Sequence, residues 1–126
     1  MNKTLENMEL VLEKIQTELK FDTKDFRFVK TLTNTYRILL DKFRISLSNK
    51  EIKQYENNLL EHKATFSTIQ SNAENELTSR ITNGDYISAN ILAEINRRLE
   101  YSKIEIDNII KDPLELKGWR KNKQNN

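Results

Sequence analysis

The sequence predicts an all-α helical bundle, and three observations predict it. Across 126 residues there are only two glycines, Gly84 and Gly118, and one proline, Pro113, so the 83 residues before Gly84 contain neither breaker. Apolar residues recur at alternating spacings of three and four, which places them on one face of an α-helix. The hydrophobic fraction is 37%, the charged fraction 32% and the mean hydropathy −0.75, as expected where narrow apolar stripes leave most of each helix in water.

The first stripe is Leu5, Met8, Leu12, Ile15 and Leu19. It ends near Phe21, where Asp22 or Thr23 can cap the next helix by accepting a hydrogen bond from a free backbone N–H. The second stripe is Phe26, Val29, Thr33, Tyr36, Leu40, Phe43 and Leu47, widened by Phe28, Leu32, Leu39 and Ile45. So broad a face predicts contact with two neighbours. Ser48 and Asn49 offer the next cap, with Glu51 in the first turn, where the helix dipole favours an acid. A third helix is predicted from about Lys50 to Thr82, with Ile52, Tyr55, Leu59, His62, Phe66, Ile69, Ala73, Leu77 and Ile81 inward. Asn83-Gly84 ends it, because Gly readily takes the left-handed conformation after a helix. Asp85 or Ser88 opens a fourth helix carrying Ile91, Leu92, Ile95, Leu99, Ile106, Ile109 and Ile110, closed by Pro113.

Short connections predict antiparallel neighbours, hence an up-down-up-down bundle of three long helices and a shorter N-terminal one. The expected division is a bundle domain over 1–112 and a basic, flexible tail over 113–126. That tail carries a net +3, whereas residues 1–112 hold 17 basic and 18 acidic groups, a net of −1. The overall charge of +2 is therefore a property of the tail. Without Cys, the chain has no disulfide, thiolate or Cys-ligated zinc chemistry. Neither a signal peptide nor an apolar run of about 18 residues is visible, which points to a cytoplasmic setting.

His62, the one histidine, falls on the inward stripe. The Glu-x-x-His pattern of di-metal bundles is not met, because Leu59 stands three residues before it. His62 therefore reads as a buried, hydrogen-bonded structural residue. Glu6, Glu9 and Glu13, and separately Glu100 and Glu105, could gather a hard cation, but read more simply as solvated faces. Arg80, Arg97 and Arg98 could meet phosphate, although Glu74 and Glu76 offer Arg80 surface ion pairs. Phosphate-cradling Gly-rich loops and strained nucleophile turns are absent from the sequence. The chain reads as non-enzymatic, with no metal and no cofactor.

The stretch from Glu76 to Ile110 resembles the end of a PhoU-type helical repeat: Arg80-Ile81-Thr82-Asn83-Gly84 closes a long helix, Ser88 opens the last, and Leu99-Glu100 supplies its central pair. Phe28 to Asn75 looks like the long hairpin of the same repeat. The resemblance implies a role in phosphate uptake or its regulation, closest to the cytoplasmic tail domain of sodium/phosphate cotransporters. The family's metal-binding Glu/Asp-x-x-x-Asp motif is not carried over. The fourth position after Glu100 is Ile104 and the fourth after Glu6 is Leu10, both apolar.

The expected function is thus that of a regulatory or interaction domain, with a protein partner or self-association and a possible membrane-transporter context. Nucleic acid is not expected as a partner. Phe28, Leu32, Leu39 and Ile45 are the expected docking residues, and Trp119, Arg120 and Lys121 the expected tail contacts. The alternative is a small self-assembling coiled-coil adaptor without a phosphate role.

Overall fold

A computed structural model describes residues 2–20 and 25–111. Over these residues the chain forms five helices: α1 (Lys3–Glu18), α2 (Phe26–Ser46), α3 (Asn49–Gln54), α4 (Glu56–Thr82) and α5 (Tyr86–Lys111). No strand occurs among the described residues. The architecture is an all-α bundle, as the periodicity requires.

Each start has a local cause. Asn2 caps α1 by accepting from the Leu5 N–H at 3.0 Å. Asp25 caps α2 through the Phe28 N–H at 3.1 Å; this differs from the expected Asp22 or Thr23, which lie outside the described residues. Ser48 opens α3 with a capping box: its hydroxyl accepts from the Glu51 N–H, while the Glu51 carboxylate accepts from the Ser48 N–H. Asp85 caps α5 through the Ser88 N–H at 3.2 Å.

The long third helix expected from Lys50 is in fact broken at Tyr55. There the backbone leaves the helical region (φ −104°, ψ 11°), and the Tyr55 N–H reaches back three residues to the Ile52 carbonyl at 3.0 Å. The Tyr55 ring meets Phe43 edge-on, with centroids 5.7 Å apart. Ring packing across the base of the bundle thus accompanies the end of helical continuity. At the other end of α4, Gly84 at φ +76° makes the turn, and the Asp85 N–H closes onto the Arg80 carbonyl at 2.8 Å.

The largest interface joins α4 to α5, followed by α1 with α2 and α2 with α5, while α1 meets α4 over a small area. Polar pairs record how the helices run. Between α4 and α5, Lys63 meets Asp107, Gln70 meets Glu100 and Glu74 meets Asn96, so position rises on one helix as it falls on the other. Between α2 and α5, Lys30 meets Glu94, Asn34 meets Arg98 and Arg44 meets Glu105, in the same order on both. The core comprises the four inward stripes except at Ile81, which was expected inward but is 50% exposed in the last turn of α4, and Tyr36, Phe43 and Phe66 are its largest fully buried side chains.

Two expected docking residues turn inward. Leu32 and Leu39 are partly buried and packed against the core, because the broad face of α2 is consumed by contacts with both α1 and α5. A charge placed at either position would therefore disturb folding before it disturbed docking. Phe28 and Ile45 remain exposed. Trp119, Arg120 and Lys121, like the boundary of the basic tail, lie outside the described residues.

Candidate interaction face

Two polar features could carry function: a buried histidine cluster and the outer face between α2 and α5. The cluster begins with Tyr36, fully buried on α2, whose hydroxyl lies 3.0 Å from Nδ1 of His62 on α4. Across the ring, Nε2 of His62 lies 3.6 Å from a carboxylate oxygen of Glu9 on α1. That distance is too long for a hydrogen bond, and the attraction is electrostatic. A carboxylate only accepts, so Nε2 carries the proton and Nδ1 accepts from the tyrosine hydroxyl. Burial holds the Tyr36 hydroxyl well above its ordinary range, which keeps it a neutral donor. Burial also pushes the His62 pKa down; the charges of Glu9 and of Glu61 on its own helix oppose this without reversing it.

This arrangement resembles a catalytic relay only in outline. Tyr36 is fully buried and His62 is 4% exposed, so both ends of the hydrogen bond are sealed from a substrate. Phe66 closes the cluster edge-on against the Tyr36 ring at 4.6 Å. What the cluster does is join α1, α2 and α4 at one point, the structural role expected for His62.

The pH consequence has a definite sign. The unfolded chain binds a proton at His62 near pH 6.5, while the folded chain does so only at lower pH. Stability should therefore be flat well above pH 6.5 and fall as pH drops through and below that value. Glu94, held at about 2 chiefly by hydrogen bonds from Arg98 and Lys30, acts in a separate window. Its contribution is present above its ordinary carboxylate range and is lost as pH falls towards 2. Urea titrations at pH 7.5, 6.5 and 5.5 check the histidine window. Equal midpoints for the native chain, or an unchanged slope in His62→Gln, would rule the assignment out.

The outer face is built differently. Two adjoining grooves run between α2 and α5, of about 750 Å³ and 310 Å³, and Asn34 lines both. The larger is bordered by Arg27, Lys30, Tyr86, Ile87 and Asn90, the smaller by Thr33, Arg37, Arg97, Arg98 and Tyr101. Glu94 is partly covered and shared by Lys30 at 3.0 Å and Arg98 at 2.8 Å, so one acid engages two cations and a net positive charge remains. Arg97 is 63% exposed and only 3.9 Å from the same carboxylate. Arg27 and Arg37 make no ion pair among the described residues. On the groove rims large apolar side chains stand in water: Ile87 is 73% exposed, Tyr86 69% and Tyr101 52%, while Ile38, 68% exposed on α2, lies outside both grooves.

Of the arginines singled out in the sequence, Arg97 and Arg98 share this face. Arg80 does not: it bonds Glu76 and Asp85 and lies over the Phe26 ring. The carboxylate groupings are not assembled, and no cluster of three His, Cys, Asp or Glu suited to a metal occurs among the described residues. Leu10 and Ile104, which stand where the resembled family places its second metal-binding acids, are both exposed. Arg37, Ile38 and Tyr101 were missed by sequence reasoning. Their common signal is spacing, since Asn34, Ile38 and Ile45 share one face of α2 while Glu94, Arg97, Tyr101 and Ile104 share one of α5.

Among the described residues, no helix is long and apolar enough to cross a membrane. No protein-family model, curated protein or solved structure matches this chain.

Proposed function

We propose that this chain is a non-enzymatic interaction domain that docks a protein partner on its α2–α5 face. The observation that carries this reading is the exposure of Tyr86, Ile87 and Tyr101 on the rims of two grooves that also gather arginines. Apolar side chains left in water beside a concave surface mark an interaction site more often than a stability device. The docking role first expected of Leu32 and Leu39 passes to Ile87 and Tyr101, while Ile38 and Ile45 stay exposed on α2 outside the grooves.

The resemblance of Glu76–Ile110 to a PhoU-type repeat gives the reading a context. The domain would serve phosphate uptake or its regulation, on the cytoplasmic side of the membrane and next to, or as part of, a transporter. Immunoblotting of fractionated native cells tests that context: a membrane-bound product much larger than 15.0 kDa supports it, and a soluble band at that mass removes it.

Docking itself is tested by photo-cross-linking in native cells. A photoreactive residue replacing Ile87 or Tyr101 should trap one discrete protein, while the same residue at the exposed Thr68 on α4 should trap none. In the intact complex, Ile87→Asp should weaken association by about 2 kcal/mol or more, the scale of a central hot spot. Absence of an adduct from both face positions would overturn the proposal.

A further inference from the structure

The partner's chemistry can be read from the same face, and this inference rests on the docking role proposed above. We propose that the α2–α5 groove receives an acidic amphipathic helix of a partner protein. Three observations converge on that occupant.

The first is charge. Within the two grooves Arg27, Lys30, Arg37, Arg97 and Arg98 face a single acid, Glu94. Lys30 and Arg98 are occupied by Glu94, which leaves Arg27, Arg37 and the weakly held Arg97 for an incoming anion. This local excess stands on a body whose residues 1–112 carry a net −1. The attraction is therefore confined to the groove and does not extend over the domain. Guanidinium forks match carboxylates with two parallel hydrogen bonds, which favours arginine wherever acids are recognised in register.

The second is the apolar pattern. Along the α5 rim of the grooves, Tyr86, Ile87 and Tyr101 are exposed. An amphipathic helix laid into a groove inserts its own side chains at i, i+3, i+4 and i+7, and needs apolar walls such as these. A nucleic-acid strand would use the arginines and could stack on Tyr86 and Tyr101. It has no use for an isoleucine that is 73% exposed, as Ile87 is, and it would run out over a net-negative body.

The third is length. From Tyr86 to Tyr101 the grooves extend about 22 Å along α5, enough for a partner helix of about 15 residues. Because α2 and α5 run side by side with matched order of contacts, the groove persists over several turns. A third helix seated there would complete a three-helix packing around Asn34 and Arg98.

The test is fluorescence anisotropy on the full chain with three labelled probes. One is a peptide of about 18 residues with a leucine stripe flanked by glutamates; the second replaces those glutamates by lysines. The third is a single-stranded oligonucleotide of about 12 nucleotides. The Glu peptide should bind at least about tenfold more tightly than the Lys peptide, and the preference should shrink with added salt. Arg37→Glu combined with Arg97→Glu should reverse it, with circular dichroism confirming unchanged helicity. Should that double variant fail to fold, the salt dependence with the native chain still decides.

Equal binding of the two peptides, or tighter binding of the oligonucleotide, overturns the acidic-helix assignment. If Ile87 nevertheless traps a protein in cells, the docking role stands and only the partner chemistry falls. If the Glu peptide is not preferred and no adduct forms, both fall together.

Discussion

Replacing Tyr36 by alanine should lower the unfolding free energy by about 4–5 kcal/mol, close to the whole stability of a marginal domain. Two losses add. The ring is fully buried and packs edge-on against Phe66, so its removal forfeits aromatic burial and leaves a cavity that rigid helices close only in part. Nδ1 of His62 also loses its donor inside a buried site, where an unmet polar atom keeps its desolvation cost. Tyr36→Phe separates the two losses, because it keeps the ring and removes only the hydroxyl. Its cost should be about 1–2 kcal/mol. Urea unfolding of the three proteins at pH 7.5 measures the split. If phenylalanine costs as much as alanine, the hydrogen bond and not the ring carries this position. If phenylalanine costs nothing, the Tyr36–His62 bond makes no net contribution.

The Tyr36–His62 pair also shows what could be read from the sequence. Both residues fall on inward stripes fixed by three- and four-residue spacing, and both are buried as that spacing requires. That they meet each other, 26 positions apart, depends on how far α4 slides along α2, which periodicity does not specify. The break at Tyr55 was hidden for a related reason. Position 55 fits the stripe of one long helix, and only the placement of Phe43 across the bundle base shows that its ring packs off that line.

The outer face was harder still to see. Arg37 and Arg97 are separated by the second half of α2, all of α3 and α4 and the first part of α5, and a net charge of −1 over residues 1–112 conceals a local excess of cations. The breadth of the apolar face on α2 was legible, but its meaning was not. Leu32 and Leu39 serve contacts with α1 and α5, while Ile38, between them in sequence, points to water. One residue of rotation about a helix, roughly 100°, separates a core position from an exposed one.

Arg44→Ala should be the second most damaging single change, costing about 3 kcal/mol, the lower end of the range for a broken buried pair. Arg44 is 8% exposed on α2, with its guanidinium paired to Glu105 of α5 and 3.3 Å from Asp41 one turn back. The Glu105 side chain is itself only 16% exposed, so removing the arginine leaves a carboxylate poorly reached by water. Asp41 is 45% exposed and can be resolvated, so its loss of a partner adds little. Glu105→Gln should cost less than Arg44→Ala, about 1–2 kcal/mol, because the guanidinium keeps Asp41 and amide oxygen can still accept from it. Replacing both residues by apolar ones of similar volume, Arg44→Met with Glu105→Leu, should recover most of the loss, since neither charge then needs solvation. A double-mutant cycle measured by urea unfolding at low and high salt checks these values. Buried charges are weakly screened, so the coupling should change little with salt. A cost below about 1 kcal/mol for Arg44→Ala, falling further with salt, would instead make the contact an ordinary surface ion pair, and the α2–α5 packing that presents the groove would then rest on apolar contacts and the Asn34–Arg98 bond.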